Sequence, residues 1–133
     1  MRPQLIIIVL VATCAISSDF AGDITYEYQD YKHIEYRDIN DIEDKSLLAY
    51  FYSETCLYCK EIKQAILKFA STREYIYLVT VKDREVLCRY NKGSEEDIYC
   101  ISGTPTLMKI ENNTPILTIA GAQKVLAYIL ENS

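Results

Sequence analysis

This 133-residue chain has one histidine, fewer basic than acidic residues and no apolar run long enough to span a bilayer. Its 14 Lys and Arg stand against 19 Asp and Glu, a balance that argues against nucleic acid or anionic lipid as a partner. Internal repeats, low-complexity tracts and linkers are also missing, so a single domain large enough to bury its own core is expected. A zinc site would have to be built mainly from cysteine, because His33 is the only imidazole.

The first residues have the anatomy of a secretory signal peptide. Arg2 precedes an apolar run, Leu5 to Ile16, that falls short of the roughly 20 residues a membrane span needs. Small residues at Ala15 and Ser17 place cleavage after Ser17, with Ala15 as the competing site. Residues 1–17 are therefore read as the signal peptide and residues 18–133 as the folded domain. A lipoprotein reading would keep Cys14 as a lipidated first residue, but Thr13 precedes it where Gly, Ala or Ser is usual. An exported, periplasmic or otherwise extracytoplasmic protein is expected, attached to a membrane only if the signal is uncleaved or lipidated. Cys56, Cys59, Cys88 and Cys100 then remain, an even set suited to an oxidising compartment.

Patterning supplies an order of elements. The region from Asp23 to Asp44 shows alternation at Ile24, Tyr26 and Tyr28 and again at Ile34 and Tyr36, which predicts at least one strand. A short helix is expected to follow, capped by Asp38 or Asn40. The run Ser46 to Tyr52 predicts a strand buried on both faces. Apolar positions at Ile62, Ala65, Ile66, Phe69 and Ala70 predict a helix of three to four turns after Cys56. Tyr75 to Val81 reads as a second central strand, which completes a βαβ unit. A short helix within Asp83 to Asn91, a hairpin from Thr106 to Ile119 turning at Glu111 to Pro115, and a last helix follow. That helix begins after Gly121, with Val125, Leu126, Tyr128, Ile129 and Leu130 as its apolar face.

The chemistry concentrates at Cys56-Leu57-Tyr58-Cys59, where a buried strand meets a helix. The first amides of a helix lack internal partners and carry partial positive charge, so a cysteine there is favoured as its thiolate. Cys56 is the expected nucleophile, and Cys59, one turn deeper, the expected resolving thiol.

With this order of elements, the CxxC block, the Ile101-Ser102-Gly103-Thr104-Pro105-Thr106 block and the Gly121 break, the chain resembles the thioredoxin family from about Lys32 to its end. The resemblance implies an α/β thioredoxin fold, a central mixed sheet flanked by helices. It implies a thiol:disulfide oxidoreductase that requires no cofactor and acts on protein thiols or disulfides, with a redox partner protein. It further implies a cis Thr104-Pro105 bond facing the CxxC, with Leu57, Tyr58, Thr104 and Pro105 contacting substrate. Tyr58 before the second cysteine and Thr104 before the proline are similar to exported disulfide isomerases and reductases. In one respect the chain departs from the family: reducing thioredoxins carry a buried acid six residues before the first cysteine, where this chain has Tyr50. Glu54 and Glu61 are the carboxylates nearby in sequence that could move a proton through a water.

Other readings stand beside these. The CxxC could also be half of a zinc site, though Cys88 and Cys100 do not form a second CxxC, or a static disulfide in a thioredoxin-fold binding or scaffold module. Cys88 and Cys100 form a loop-closing disulfide, a second redox pair, or two free thiols. Pro105 alone is compatible with an ordinary trans proline at a strand start. Tyr26, Tyr28, Tyr31 and Tyr36 suit either a half-buried strand or a partner surface. His33 is expected to be a strand or surface residue without catalytic duty. Asn112-Asn113-Thr114 matches a glycosylation sequon weakened by Pro115.

Overall fold

The computed structural model describes residues 24–73, 75–82, 84–88 and 99–133. The expected signal segment, the cleavage sites and Cys14 lie outside the described residues. Five strands form one mixed sheet: β1 His33–Glu35, β2 Ser46–Tyr52, β3 Ile76–Thr80, β4 Thr106–Glu111 and β5 Thr114–Ala120. Their spatial order is β1-β3-β2-β4-β5, with β1, β3 and β2 parallel and β4 and β5 antiparallel to their neighbours. Helix α1, Leu57–Ala70, crosses from β2 to β3, so the βαβ unit read from the sequence is present. Helix α2, Ala122–Glu131, ends the chain.

Alternation along β2 divides the core. Leu48, Tyr50 and Tyr52 face the layer made by Cys59, Ile62, Ile66, Leu67 and Phe69 of α1 and Val125 and Ile129 of α2. Leu47, Ala49 and Phe51 face the opposite layer, where Ile39, Val86, Tyr99 and Ile101 cover them together with Met108 and Ile110 of β4. Both long helices thus lie on one face of the sheet. Short 3-10 turns, Tyr36–Asp41 and Arg84–Val86, lie on the other.

Several expectations are corrected. The first alternation is not a strand: Tyr28–Asp30 is a 3-10 turn, and the strand of this region is the three-residue β1. Its tyrosines do not share a surface, because Tyr26, Tyr28 and Tyr31 pack on the helical layer and Tyr36 on the opposite one. What orders Tyr26 is α1: the Tyr26 amide donates to Gln64 Oε1 at 2.8 Å, and Gln64 Nε2 donates to the Tyr26 carbonyl at 3.0 Å. The helix expected from Asp38 or Asn40 is the 3-10 turn that begins at Tyr36 and ends at Asp41, with Glu35 at its N-cap. No side chain caps it, so the cap-based register failed. The helix expected in Asp83 to Asn91 is only the turn Arg84–Val86, because Leu87 leaves it to form a bridge with Ile101; residues 89–91 lie outside the described residues. Leu130 is 71% exposed and does not belong to the apolar face of α2.

The hairpin turns on Asn112 and Asn113, both with positive φ (51° and 63°), the conformation that lets a two-residue connection follow the twist of its strands. Gly121, at φ 99°, occupies a backbone region closed to most residues where β5 gives way to α2. No described helix is long and apolar enough to cross a membrane.

Candidate active site

The site forms where the C-terminal end of β2 meets the N-terminal end of β4. Those ends are adjacent because Phe51 pairs with Thr106 and Tyr50 with Leu107. Beyond β2 the chain turns through Ser53, Glu54 and Thr55, held by the Cys56 amide donating to the Ser53 carbonyl (3.2 Å) and by the Ser53 and Thr55 hydroxyls at 3.0 Å. Cys56 is the N-cap of α1. Its backbone is extended and its Sγ accepts the Cys59 amide hydrogen at 3.1 Å. A sulfur thus takes the place usually filled by a capping oxygen, at the positive end of the helix dipole.

Cys59 is fully buried and bonded to Cys56, with the Cα atoms 5.2 Å apart. Leu57 and Tyr58 between them are 71% and 65% exposed, so the motif presents an apolar surface to solvent around a half-shielded sulfur. On the other side, the Cys56 Sγ lies 3.5 Å from the Thr104 carbonyl oxygen, and the Thr104–Pro105 peptide is cis. The turn that carries Thr104 is pinned at both ends. The Thr106 hydroxyl, itself buried, donates to the Gly103 carbonyl at 2.6 Å, and the Gly121 amide donates to the Pro105 carbonyl at 2.9 Å. The structure therefore brings together Cys56, Cys59, Leu57, Tyr58, Thr104 and Pro105.

Cys88 and Cys100 form a second disulfide. It belongs to the opposite face, beside the Leu87–Ile101 bridge, where the Cys88 amide donates to the Ile101 carbonyl (2.8 Å) and the Ile101 amide to the Val86 carbonyl (2.9 Å). Two separate pairings replace the shared thiolate cluster that the zinc reading required. Glu54 and Glu61 are both exposed, whereas the thiol they were to serve is buried.

Sequence reasoning missed the aromatic floor of the site. Tyr28 stacks on Tyr52 with centroids 3.9 Å apart, and Tyr52 lies nearly parallel to Tyr50 at 6.1 Å. Burial first, then the neighbouring Tyr52, Glu54 and Glu27, push the Tyr28 phenol up to about 12. Lys63 bridges to Glu27 at 2.8 Å and sits over the Tyr28 ring. His33, expected to be idle, fixes this floor: Nδ1 lies 3.0 Å from the Tyr31 carbonyl and Nε2 2.7 Å from the Tyr52 hydroxyl. The carbonyl can only accept, so Nδ1 carries the hydrogen. In a neutral ring Nε2 then accepts from Tyr52, which itself accepts from Thr80 at 3.1 Å. By contrast, the Tyr50 hydroxyl is fully buried with no hydrogen-bond partner among the described residues, a state that costs about 1–3 kcal/mol. The period-two alternation of β2 was the available signal for this stack, since it puts Tyr50 and Tyr52 on the face that α1 covers.

The family model that describes a thioredoxin-like domain matches residues 38–129. Among solved structures, the chain is similar to thioredoxin f2 of Chlamydomonas reinhardtii, at 22% identity and a TM-score of 0.51, over 77% of this chain and 96% of that one. It is similar also to mitochondrial thioredoxin 3 of Saccharomyces cerevisiae, in its oxidised form (16% identity, TM-score 0.54, 78% and 97% covered). A third similar structure is the Malassezia sympodialis thioredoxin (22%, 0.54, 76% and 89%). Comparison with curated protein sequences gives no match.

Proposed function

Because the chain belongs to the thioredoxin-like domain family, whose fold and CxxC pair support thiol–disulfide redox chemistry, we propose that it is an exported protein-disulfide reductase or isomerase. In this reading the Cys56 thiolate attacks one sulfur of a substrate disulfide, forms a mixed disulfide and expels the other substrate sulfur as a thiolate. Cys59 loses its proton and attacks the Cys56 sulfur, which releases the second substrate thiolate. The two substrate sulfurs take up protons, and the two electrons they gain are those lost in forming Cys56–Cys59. A dithiol partner protein returns the pair to the reduced state by the same exchange. Isomerisation omits the second attack and lets the substrate's own thiol displace Cys56.

The observation that carries the reading is the hydrogen bond from the Cys59 amide to Cys56 Sγ at the start of α1. A donor aimed at the sulfur, within the positive field of the helix end, favours the anion that attacks. Leu57, Tyr58 and the backbone at Thr104 supply the surface for an extended substrate segment, which would lie against the exposed motif as an added strand. The leader-like Leu5 to Ile16 run supports export.

Insulin reduction with dithiothreitol tests the activity. The wild-type chain is expected to turn over, Cys56→Ser to be inert, and Cys59→Ser to accumulate a mixed disulfide with substrate. Equal inertness of all three, with no trapped species, rejects the proposal and leaves the Cys56–Cys59 bond a static one.

A further inference from the structure

Tyr50 poses an unanswered question of hydrogen bonding. Its hydroxyl is buried with no partner among the described residues while Cys56 and Cys59 are bonded to each other. The buried cluster around it consists of Leu, Ile, Val, Phe and Ala side chains plus two others, Tyr52 and Cys59. Tyr52 is already engaged with His33 and Thr80. Among the described residues, Cys59 Sγ is therefore the one remaining side-chain acceptor of the cluster's buried members, with Tyr28 and Cys56 partly buried against it. In a disulfide this sulfur is a weak acceptor; as a thiol or thiolate it is a stronger one. Tyr50 and Cys59 belong to the same buried cluster, and Tyr50 pairs with Leu107, one step inward from the Phe51–Thr106 pair at the site.

We propose that Tyr50 is the hydrogen-bond donor of the reduced site: its hydroxyl is idle in the disulfide form and donates to the Cys59 sulfur once that bond is opened, so that it stabilises the dithiol. The proposal rests on the redox reading of Cys56 and Cys59. Reduction by dithiothreitol delivers two electrons and two protons, leaves both cysteines as thiols and converts the reagent to its cyclic disulfide. Tyr50 gains a partner in that step and transfers no proton. Burial first, then Tyr28 and Tyr52, hold its phenol far above the usual range, so it acts as a donor and not as a base.

The test is Tyr50→Phe in the full chain, equilibrated in dithiothreitol redox buffers. The peptide bearing Cys56 and Cys59 is quantified by alkylation and mass spectrometry, separately from Cys88 and Cys100. The expected result is a shift of about tenfold toward the disulfide, equivalent to a potential about 30 mV more negative. The oxidised protein is expected to melt no lower than wild type, because Phe keeps the ring and removes an unpartnered hydroxyl. An equilibrium moved less than twofold overturns the proposal, as does an oxidised form that unfolds or loses as much stability as the reduced one. Tyr28→Phe is the control: its ring lies at the rim of the same cluster, and a shift there in place of Tyr50 also overturns the assignment. A wild-type pair that never exchanges with the buffer rejects the redox reading itself, whereas a pair that exchanges with a potential blind to Tyr50→Phe rejects this inference alone.

Discussion

The two faces of the sheet each carry a disulfide, and the bonds sit in different backbones. On the helix-covered face, Cys56–Cys59 lies within one turn of α1, with one sulfur capping the helix and the other fully buried in the core cluster that holds the stacked tyrosines. On the opposite face, Cys88–Cys100 lies beside an isolated bridge, with Cys88 exposed and following the 3-10 turn Arg84–Val86. A covalent bond between two sulfurs therefore says little about its chemistry. What differs is whether an amide and a dipole favour the anion released when the bond opens, and how much chain the bond holds together.

The largest expected effect lies on the second face. Replacing Cys88 and Cys100 together by Ser is expected to cost about 3 kcal/mol in urea unfolding, from the loop-closure entropy of a loop of this size. Insulin-reducing turnover is expected to stay within about twofold of wild type. Turnover lost in step with stability would break the division of labour between the faces and make Cys88–Cys100 part of the redox circuit.

A sharper contrast is kinetic. In the fully reduced protein at neutral pH, Cys56 is expected to react with iodoacetamide about tenfold faster than Cys88, because of its larger thiolate fraction. Site-resolved alkylation rates measure this, and equal rates would remove the electrostatic distinction.

Smaller again is the floor of the site. Tyr52→Phe removes the bonds to His33 and Thr80 and is expected to destabilise the protein by about 1 kcal/mol, read in the same unfolding experiment. His33→Ala is expected to lose a similar amount, and the double variant less than the sum, because both substitutions break one bond.

The most gradual effect is alkaline. The Tyr28 and Tyr77 phenols are both raised to about 12, Tyr28 mainly by burial and Tyr77 mainly by its hydrogen bond to Asp44. Unfolded phenols lose their protons near 10, before the folded ones do, so these groups contribute fully below pH 10 and lose that contribution as pH rises toward 12. A stability profile over that range is expected to fall, and to fall less steeply in Tyr77→Phe.

Much of this architecture was legible in the amino-acid order. The run Ser46 to Tyr52 is β2 to the residue, and the apolar spacing after Cys56 located α1, though Leu67, fully buried, escaped the pattern. These elements are long and their burial is periodic, so local chemistry and packing agree. The N-terminal third was less legible because its elements are short: β1 has three residues, and the neighbouring 3-10 turns have no side-chain cap to announce them. The site divided in the same way. Cys56, Leu57, Tyr58 and Cys59 are contiguous and were visible at once, while the roles of Tyr28, His33 and Tyr52 depend on contacts across the sheet.

The amino-acid order by itself determined the alternation of buried strand, amphipathic helix and hairpin, and where the cysteines fall within it, because those follow from side-chain periodicity along a single element. Only tertiary structure decided that Cys88 pairs with Cys100, that Thr104 stands against Cys56, and that the Tyr50 hydroxyl is buried with no partner among the described residues. None of these follows from the periodicity of one element, and strand register and burial, summed over the whole sheet, set how the segments meet.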